Sequence, residues 1–303
     1  MTKPHVSVII PFSRKEQAQV VLACLGQQTY PADLVEILLV GAQSSVLSQH
    51  WAIKAVETKP IYYPGEARNI GAHEAMGKYL LFLDDDCAPA ANWIEENVAA
   101  LKRPGIGAVG GLIAGKSRAF FARCVDFSRF GFYQVGKERT MVVCSASLGV
   151  EREVFMEVGG FDETLRSEED MDFCYRLQAH GYRTLYQPTI KVIHDHRRTT
   201  LSALLRYSYF YGRVSGLHVK RLYPGLSRRN KILSMVQHPY LYPLMMLPIS
   251  LGATLNIVRL TVREHPAVLL YSPFIVASKL ASHIGIWRWL LHGAPLRGGG
   301  NAE

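Results

Sequence analysis

Three stretches of the chain are apolar almost without interruption: His5–Pro11 (HVSVIIP), Val35–Val40 (VEILLV) and Lys78–Leu83 (KYLLFL). A strand with one wet face alternates polar and apolar residues, so a run without alternation must be covered on both faces. Between these runs, Lys15–Gln27 and Glu66–Gly77 suit helices, and Trp51–Thr58 reads as a weaker strand. Strand, helix, strand, helix at this spacing predicts an α/β, doubly wound sheet, which takes its ligands at the carboxyl ends of its strands. Gly105–Gly111, Met141–Val150 and Ile190–Ile193 suggest further strands, and Val154–Val158 and Glu168–His180 short helices. Hydrophobic residues are 49% of the chain and charged ones 19%, enough for a substantial core. Residues 1–200 are expected to form this domain.

The last third of the chain is of another kind. Nine basic residues lie between Arg197 and Lys231, and no acidic one occurs from His196 to Arg263, so this stretch accounts for the formal charge of +9. Such a run attracts phosphates, whether of nucleotides, nucleic acid or lipid. From Val236 to Val258 there is no charged side chain, and a helix of that length would reach about 34 Å, enough for a bilayer core. Pro239, Pro243 and Pro248 interrupt it, which a straight span tolerates poorly. The second apolar segment, Pro266–Trp287, carries Lys279 and His283 four apart on one face. We expect a basic juxtamembrane helical linker at 201–235, apolar membrane-associated helices at 236–295, spanning or interfacial, and a flexible tail at 296–303. An anionic membrane surface explains the basic run more simply than nucleic acid does, because the run leads straight into apolar sequence. Met1–Ile10 carries no cleavable signal pattern, so the domain is expected on the cytoplasmic face of the membrane. The five cysteines are scattered with no CxxC pair, which argues for reduced thiols over disulfides or a zinc site.

Three clusters carry the chemistry. Asp84-Asp85-Asp86 follows the run ending at Leu83, and adjacent carboxylates at a strand end repel one another unless a cation joins them. Asp84 and Asp86 can face one centre, and hard oxygen ligands suit Mg²⁺ or Mn²⁺. The plainer alternative is a solvated turn in which Asp86 caps the helix after Pro89. Glu168-Glu169-Asp170 with Asp172 opens a helix; these carboxylates are either ordinary partners of the helix dipole or the source of a general base. His194-Asp195-His196 follows Ile190–Ile193, where a histidine is either a satisfied surface residue or a further Mn²⁺ ligand.

These elements, in this order, resemble the family 2 glycosyltransferases with the GT-A fold. The resemblance runs through VSVIIPF (Val6–Phe12), ARNIGAHEAMGKYLLFLDDDC (Ala67–Cys87), GGFDE (Gly159–Glu163), SEEDMDFCYRLQAHGY (Ser167–Tyr182) and VIH (Val192–His194), roughly the first two-thirds of the chain. It implies a GT-A-like mixed sheet and a nucleotide-sugar donor held by Pro11, Arg68, Asp84, Asp85 and Asp86. It also implies a metal on Asp84, Asp86 and His194. Asp170 would be the base with Glu169 beside it, and Asp172, His196 and Arg197 would contact acceptor or phosphate. The implied reaction is an inverting transfer to an acceptor hydroxyl, by one in-line displacement.

Two departures matter. The family's aspartate pair after the second strand is replaced by Val40-Gly41-Ala42-Gln43-Ser44, so donor recognition differs. The Gln-x-x-Arg-Trp signature of processive synthases is missing, Arg206-Tyr207 being the nearest match, so single addition to a lipid-linked or membrane-proximal glycan is expected. A nucleotidyltransferase is the alternative enzyme, but it needs a glycine-rich phosphate loop where this chain has Pro11-Phe12-Ser13-Arg14-Lys15. A catalytically inactive membrane-bound assembly subunit with the same fold is the alternative outside enzymes.

Overall fold

The computed structural model describes residues 4–12, 15–41, 52–56, 58, 63–214 and 238–293. In chain order the elements are β1 (Val6–Pro11), α1 (Lys15–Leu25), β2 (Val35–Val40), β3 (Ala52–Val56), α2 (Pro64–Glu74), β4 (Tyr79–Leu83), β5 (Cys87–Pro89) and α3 (Trp93–Leu101). Then come β6 (Ile106–Gly115), α4 (Phe120–Phe130), β7 (Arg139–Thr140), β8 (Ser147–Glu151), α5 (Arg152–Val158), α6 (Glu169–Ala179) and β9 (Arg183–His194). Three long helices close the described chain: α7 (Leu201–Val214), α8 (Tyr242–Thr261) and α9 (Val268–His292).

The strands form one mixed sheet in the order β3-β2-β1-β4-β8-β6-β9-β5, with β7 paired to β9. β3, β2, β1 and β4 are parallel, and β8 runs antiparallel to both β4 and β6. The three continuous apolar runs are the buried β1, β2 and β4, and helices over a sheet are what such runs require. Beneath α2, α5 and α6 lies an aromatic cluster in which Phe82, Phe155, Phe161 and Phe173 meet edge-on or tilted.

β9 is longer than its sequence suggests. Its first half pairs with β6 at Ile106–Gly111, the register shifts after Gly111, and its second half pairs with both β6 and β5. Gly111 sits where a Cβ would fall 1.8 Å from the Ile190 carbonyl oxygen, so a side chain there would push the two strands apart. The apolar stretch Met141–Val150 is strand only from Ser147; residues 141–146 leave the ladder, and Ser145 turns its backbone N–H to a carboxylate. Asp86 does not cap α3: β5 intervenes, and Asn92 holds the N-cap position. The sequence pattern predicts neither β5 nor α4.

The chain divides into two compact units, residues 1–116 with 136–196, and residues 117–135 with 197–303. The first holds the sheet. In the second, α4 lies against α9, with Phe120 and Phe121 meeting Phe274, Phe127 packing on Val268 and Ile275, and Lys279 donating to the Ser128 carbonyl at 2.5 Å. Lys279 and His283 do share a face, and both are used inside the unit, since His283 Nδ1 lies 2.6 Å from the Tyr242 hydroxyl of α8. α7 crosses α9 closely at two glycines: a Cβ on Gly212 would meet Ser282 O at 1.9 Å, and one on Gly285 would meet Tyr209 O at 2.3 Å. Of the linker expected at 201–235, α7 covers the first part; residues 215–237 and the tail at 296–303 lie outside the described residues.

Candidate active site

Arg68 projects from α2 and is almost fully buried, 3% exposed. Its Nη1 donates to Glu169 Oε1 at 2.7 Å and its Nη2 to Asp84 Oδ1 at 2.6 Å, so one guanidinium ties the end of β4 to the start of α6. Burial alone would lower its pKa, but the two carboxylates outweigh that and hold it firmly protonated. The next residue, Asn69, grips the Gly159–Glu163 turn: its Nδ2 donates to the Phe161 carbonyl, and its Oδ1 accepts from the Phe161 N–H. Gly160 stands at φ +66° inside that turn, a conformation open to glycine, with no room for a side chain beside Asn69.

The three acidic residues of the second cluster separate by environment. Glu169 is buried against Arg68 and also accepts from the Ser145 hydroxyl at 3.0 Å. Burial raises its pKa, with Arg68 pulling the other way. Asp170 is half-buried; its Oδ2 accepts the Ser145 backbone N–H at 2.9 Å and its Oδ1 the N–H of Met171. Asp172 turns inward to Arg176, whose guanidinium also donates to the Val158 and Gly160 carbonyls. Asp172 thus supports the glycine turn through Arg176. Glu168, just before α6, takes φ +64°, an uncommon conformation for a residue with a side chain and one that sets the direction in which α6 starts.

At the other side of the aspartate cluster, β5 pairs Cys87 with His194, and the Asp195 N–H donates to the Asp86 carbonyl. This ladder brings Asp86 Oδ2 to 3.3 Å from His194 Nε2. Asp86, Cys87 and His194 offer ligand atoms within 4.8 Å of one another. A carboxylate and an imidazole suit Mn²⁺ better than Mg²⁺, which favours oxygen alone. The Cys87 thiol is fully buried, and burial pushes its pKa well above the usual range, so it is present as a neutral thiol. Asp84 turns away from this group to Arg68, and Asp85 is buried in the turn between them. Pro11 ends β1 in register with Val40. His196 is buried with its ring 5.6 Å from that of His194, and Arg197 is exposed at the start of the second unit. Of the segment after the second strand, Ala42, Gln43 and Ser44 lie outside the described residues.

Ser145, which bonds Glu169 and Asp170, and Asn69, which holds the glycine turn, are candidate-site residues that sequence reasoning misses. Asn69 sits inside the ARN stretch of the resemblance and could have been found there; Ser145 has no signal, because it matters through a backbone N–H as much as through its side chain.

A mixed sheet of this order, with carboxylates gathered at the carboxyl ends of its central strands, is a GT-A fold. A mannosyltransferase from Pyrobaculum calidifontis, solved with GDP-Man and Mn²⁺, matches 96% of this chain and 88% of its own at TM-score 0.61 and 19% identity. The glycosyl transferase family group 2 model matches residues 79–287, and the chain belongs to that family. Among curated relatives, the pre-mycofactocin glycosyltransferase of Mycobacterium tuberculosis is 29% identical over 52% of this chain and 35% of its own length. Glycosyltransferase AglE of Haloferax volcanii is 28% identical over 65% of this chain and 68% of its own. The match to the first spans little more than a third of that protein.

Proposed function

We propose that the protein transfers one sugar, with inversion, from a nucleotide-sugar donor to the hydroxyl of a lipid-linked or membrane-proximal glycan. The observation that carries this reading is the division of labour between two adjacent carboxylates. Glu169 is spent on Arg68, while Asp170 stays half-exposed with its carboxylate aimed by two backbone N–H groups. Asp170 takes the proton from the acceptor hydroxyl as that oxygen attacks the anomeric carbon. Positioned carboxylate bases typically contribute about 10²- to 10⁴-fold.

Glu169 and Asp84 act through Arg68, which they hold in place at the junction of α2, β4 and α6. A divalent cation, Mn²⁺ or Mg²⁺, would be held by Asp86 and His194; Asp84 is engaged by Arg68 and would join them as the second aspartate of the pair only by turning from that contact. When bound, it supplies positive charge to a diphosphate leaving group. The metal reading draws support from the nitrogen and oxygen ligands facing each other at 3.3 Å and from the Mn²⁺ in the Pyrobaculum enzyme. The membrane-proximal acceptor draws support from α8 and α9, each by length and composition apolar enough to cross a bilayer; the cytoplasmic face of the membrane is part of the proposal.

The test is Asp170→Asn, assayed for nucleoside diphosphate release across a nucleotide-sugar panel with Mn²⁺. Turnover is expected to fall by about a hundredfold or more while donor affinity stays within about threefold. Equal losses in both would mean that Asp170 binds the donor and is not the base.

A further inference from the structure

We propose that α8 and α9 form an in-plane anchor seated in one leaflet, and that α8 meets lipid through Leu244, Leu247, Leu251 and Leu255. The proposal rests on the membrane association in the proposed function and fixes its geometry. The four leucines are 74%, 52%, 51% and 56% exposed, and their spacing of three and four places them on one face of α8. The opposite face is used inside the unit, where Tyr242, Met246 and Ile257 are buried.

The occupant of the leucine face is identified by charge. Of the 34 basic residues, 17 lie in the helical unit, against 3 of the 25 acidic ones. Arg259, Arg263 and Arg288 are exposed near the helix ends. An apolar stripe with that surplus matches an anionic leaflet, which draws basic residues to its surface and takes apolar side chains below it.

The contacts of the turn between α8 and α9 exclude a crossing hairpin. His265 in that turn faces the Gln134 carbonyl at 3.1 Å, and its ring stands edge-on to Phe127 of α4. At the start of α9, Tyr271 and Phe274 meet Phe120 at the other end of α4. Both contact points return to the sheet almost at once: Phe120, at the start of α4, lies four residues from Lys116, and Gln134, beyond its end, five from Arg139, which pairs with Tyr186. Five residues reach at most about 18 Å, well short of a hydrocarbon core of about 30 Å. The turn therefore stays on the side of the membrane that holds the sheet. A crossing by the other end fails for another reason. α7 runs along α9 through Ser208–Ser278 and Gly212–Gly285, so Arg206 and Arg213 would enter the hydrocarbon with it.

The experiment uses full-length protein in sealed cell membranes. A membrane-impermeant maleimide is applied to Glu264→Cys and Arg263→Cys in the turn, and to Ala179→Cys on the sheet unit as the reference, with wild type correcting for native thiols. Turn and reference cysteines are expected to label from the same face, in inverted vesicles only. Labelling of the turn from the opposite face overturns the in-plane geometry and leaves membrane association standing. In parallel, Leu247→Gln/Leu251→Gln is expected to weaken binding to vesicles of 7:3 zwitterionic to anionic lipid by about tenfold or more. Undiminished vesicle binding by that variant, or its conversion of a dimer into a monomer in detergent, overturns the lipid assignment of the stripe. A wild-type chain that binds neither membranes nor vesicles overturns the membrane reading itself.

Discussion

Replacing Arg68 by methionine removes the guanidinium that joins Glu169 and Asp84. The two carboxylates respond differently. Asp84 is about one-third exposed, so water can replace the guanidinium at a cost of about 1 kcal/mol or less. Glu169 is 5% exposed and keeps a serine hydroxyl in place of a full positive charge. Breaking a buried pair from one side costs about 3–5 kcal/mol, and that is the expected destabilisation of Arg68→Met. Glu169→Gln alone leaves Arg68 paired with Asp84 and should cost about 1.5–3 kcal/mol. The double variant removes both partners of the buried pair and should be about 0.5–3 kcal/mol less destabilised than the two single costs added together. Arg68→Lys should rescue little, because a single ammonium cannot reproduce the two-pronged contact. A urea titration of the four proteins at pH 7, with equal m-values as the check on a common unfolded state, measures this. A cost below about 1 kcal/mol for Arg68→Met, or strict additivity in the double variant, would refute the assignment of Arg68 as the tie between strand and helix.

Two further outcomes are expected. Asp86→Ala and His194→Ala should each abolish the Mn²⁺ dependence of donor binding with the unfolding midpoint little changed; donor affinity that still responds to Mn²⁺ would remove both from the metal site. Burial pushes the thiols of Cys174 and Cys124 up to about 12 and 11 and that of Cys87 well up, so at pH 8 these three are neutral and unreactive. Iodoacetamide at that pH should modify Cys24 and Cys144, which are half-buried, and rapid modification of Cys174 before unfolding would contradict its burial beneath α6.

β1, β2 and β4 are legible in the sequence to within a residue or two, because strands buried on both faces are written as unbroken apolar runs. β5 is not, because its three residues form a strand only when β9 passes beside them. α4 carries apolar residues at helical spacing, yet its partners come only in α7, α8 and α9, far later in the chain. The same holds at the site. That Glu169 turns in and Asp170 faces out follows from neighbouring residues lying about 100° apart around a helix, but that Glu169 meets Arg68 spans a separation of 101 residues that no local pattern records. The resemblance brought these carboxylates forward together; only the contacts show that Asp172 holds a turn while Asp170 stays half-exposed.

The placement of α4 has a consequence for the order in which this chain can be made. α4 leaves the ribosome with Phe127 and its neighbours, whose cover is Val268 and Ile275. The whole stretch from Gly131 to Ala267 must be synthesised first. At typical elongation rates that is an interval on the order of ten seconds. Throughout it the sheet can close around Arg68 and Glu169, while the Phe127 face of the helix tethered to it still lacks Val268 and Ile275. A chain that ends after α7 covers Cys124 and Val125 but leaves Phe127 without Val268 and Ile275. α8 and α9 thus cover a helix face made long before them, and cells translating a shortened message should pass the product to chaperones and proteases even though its sheet is complete.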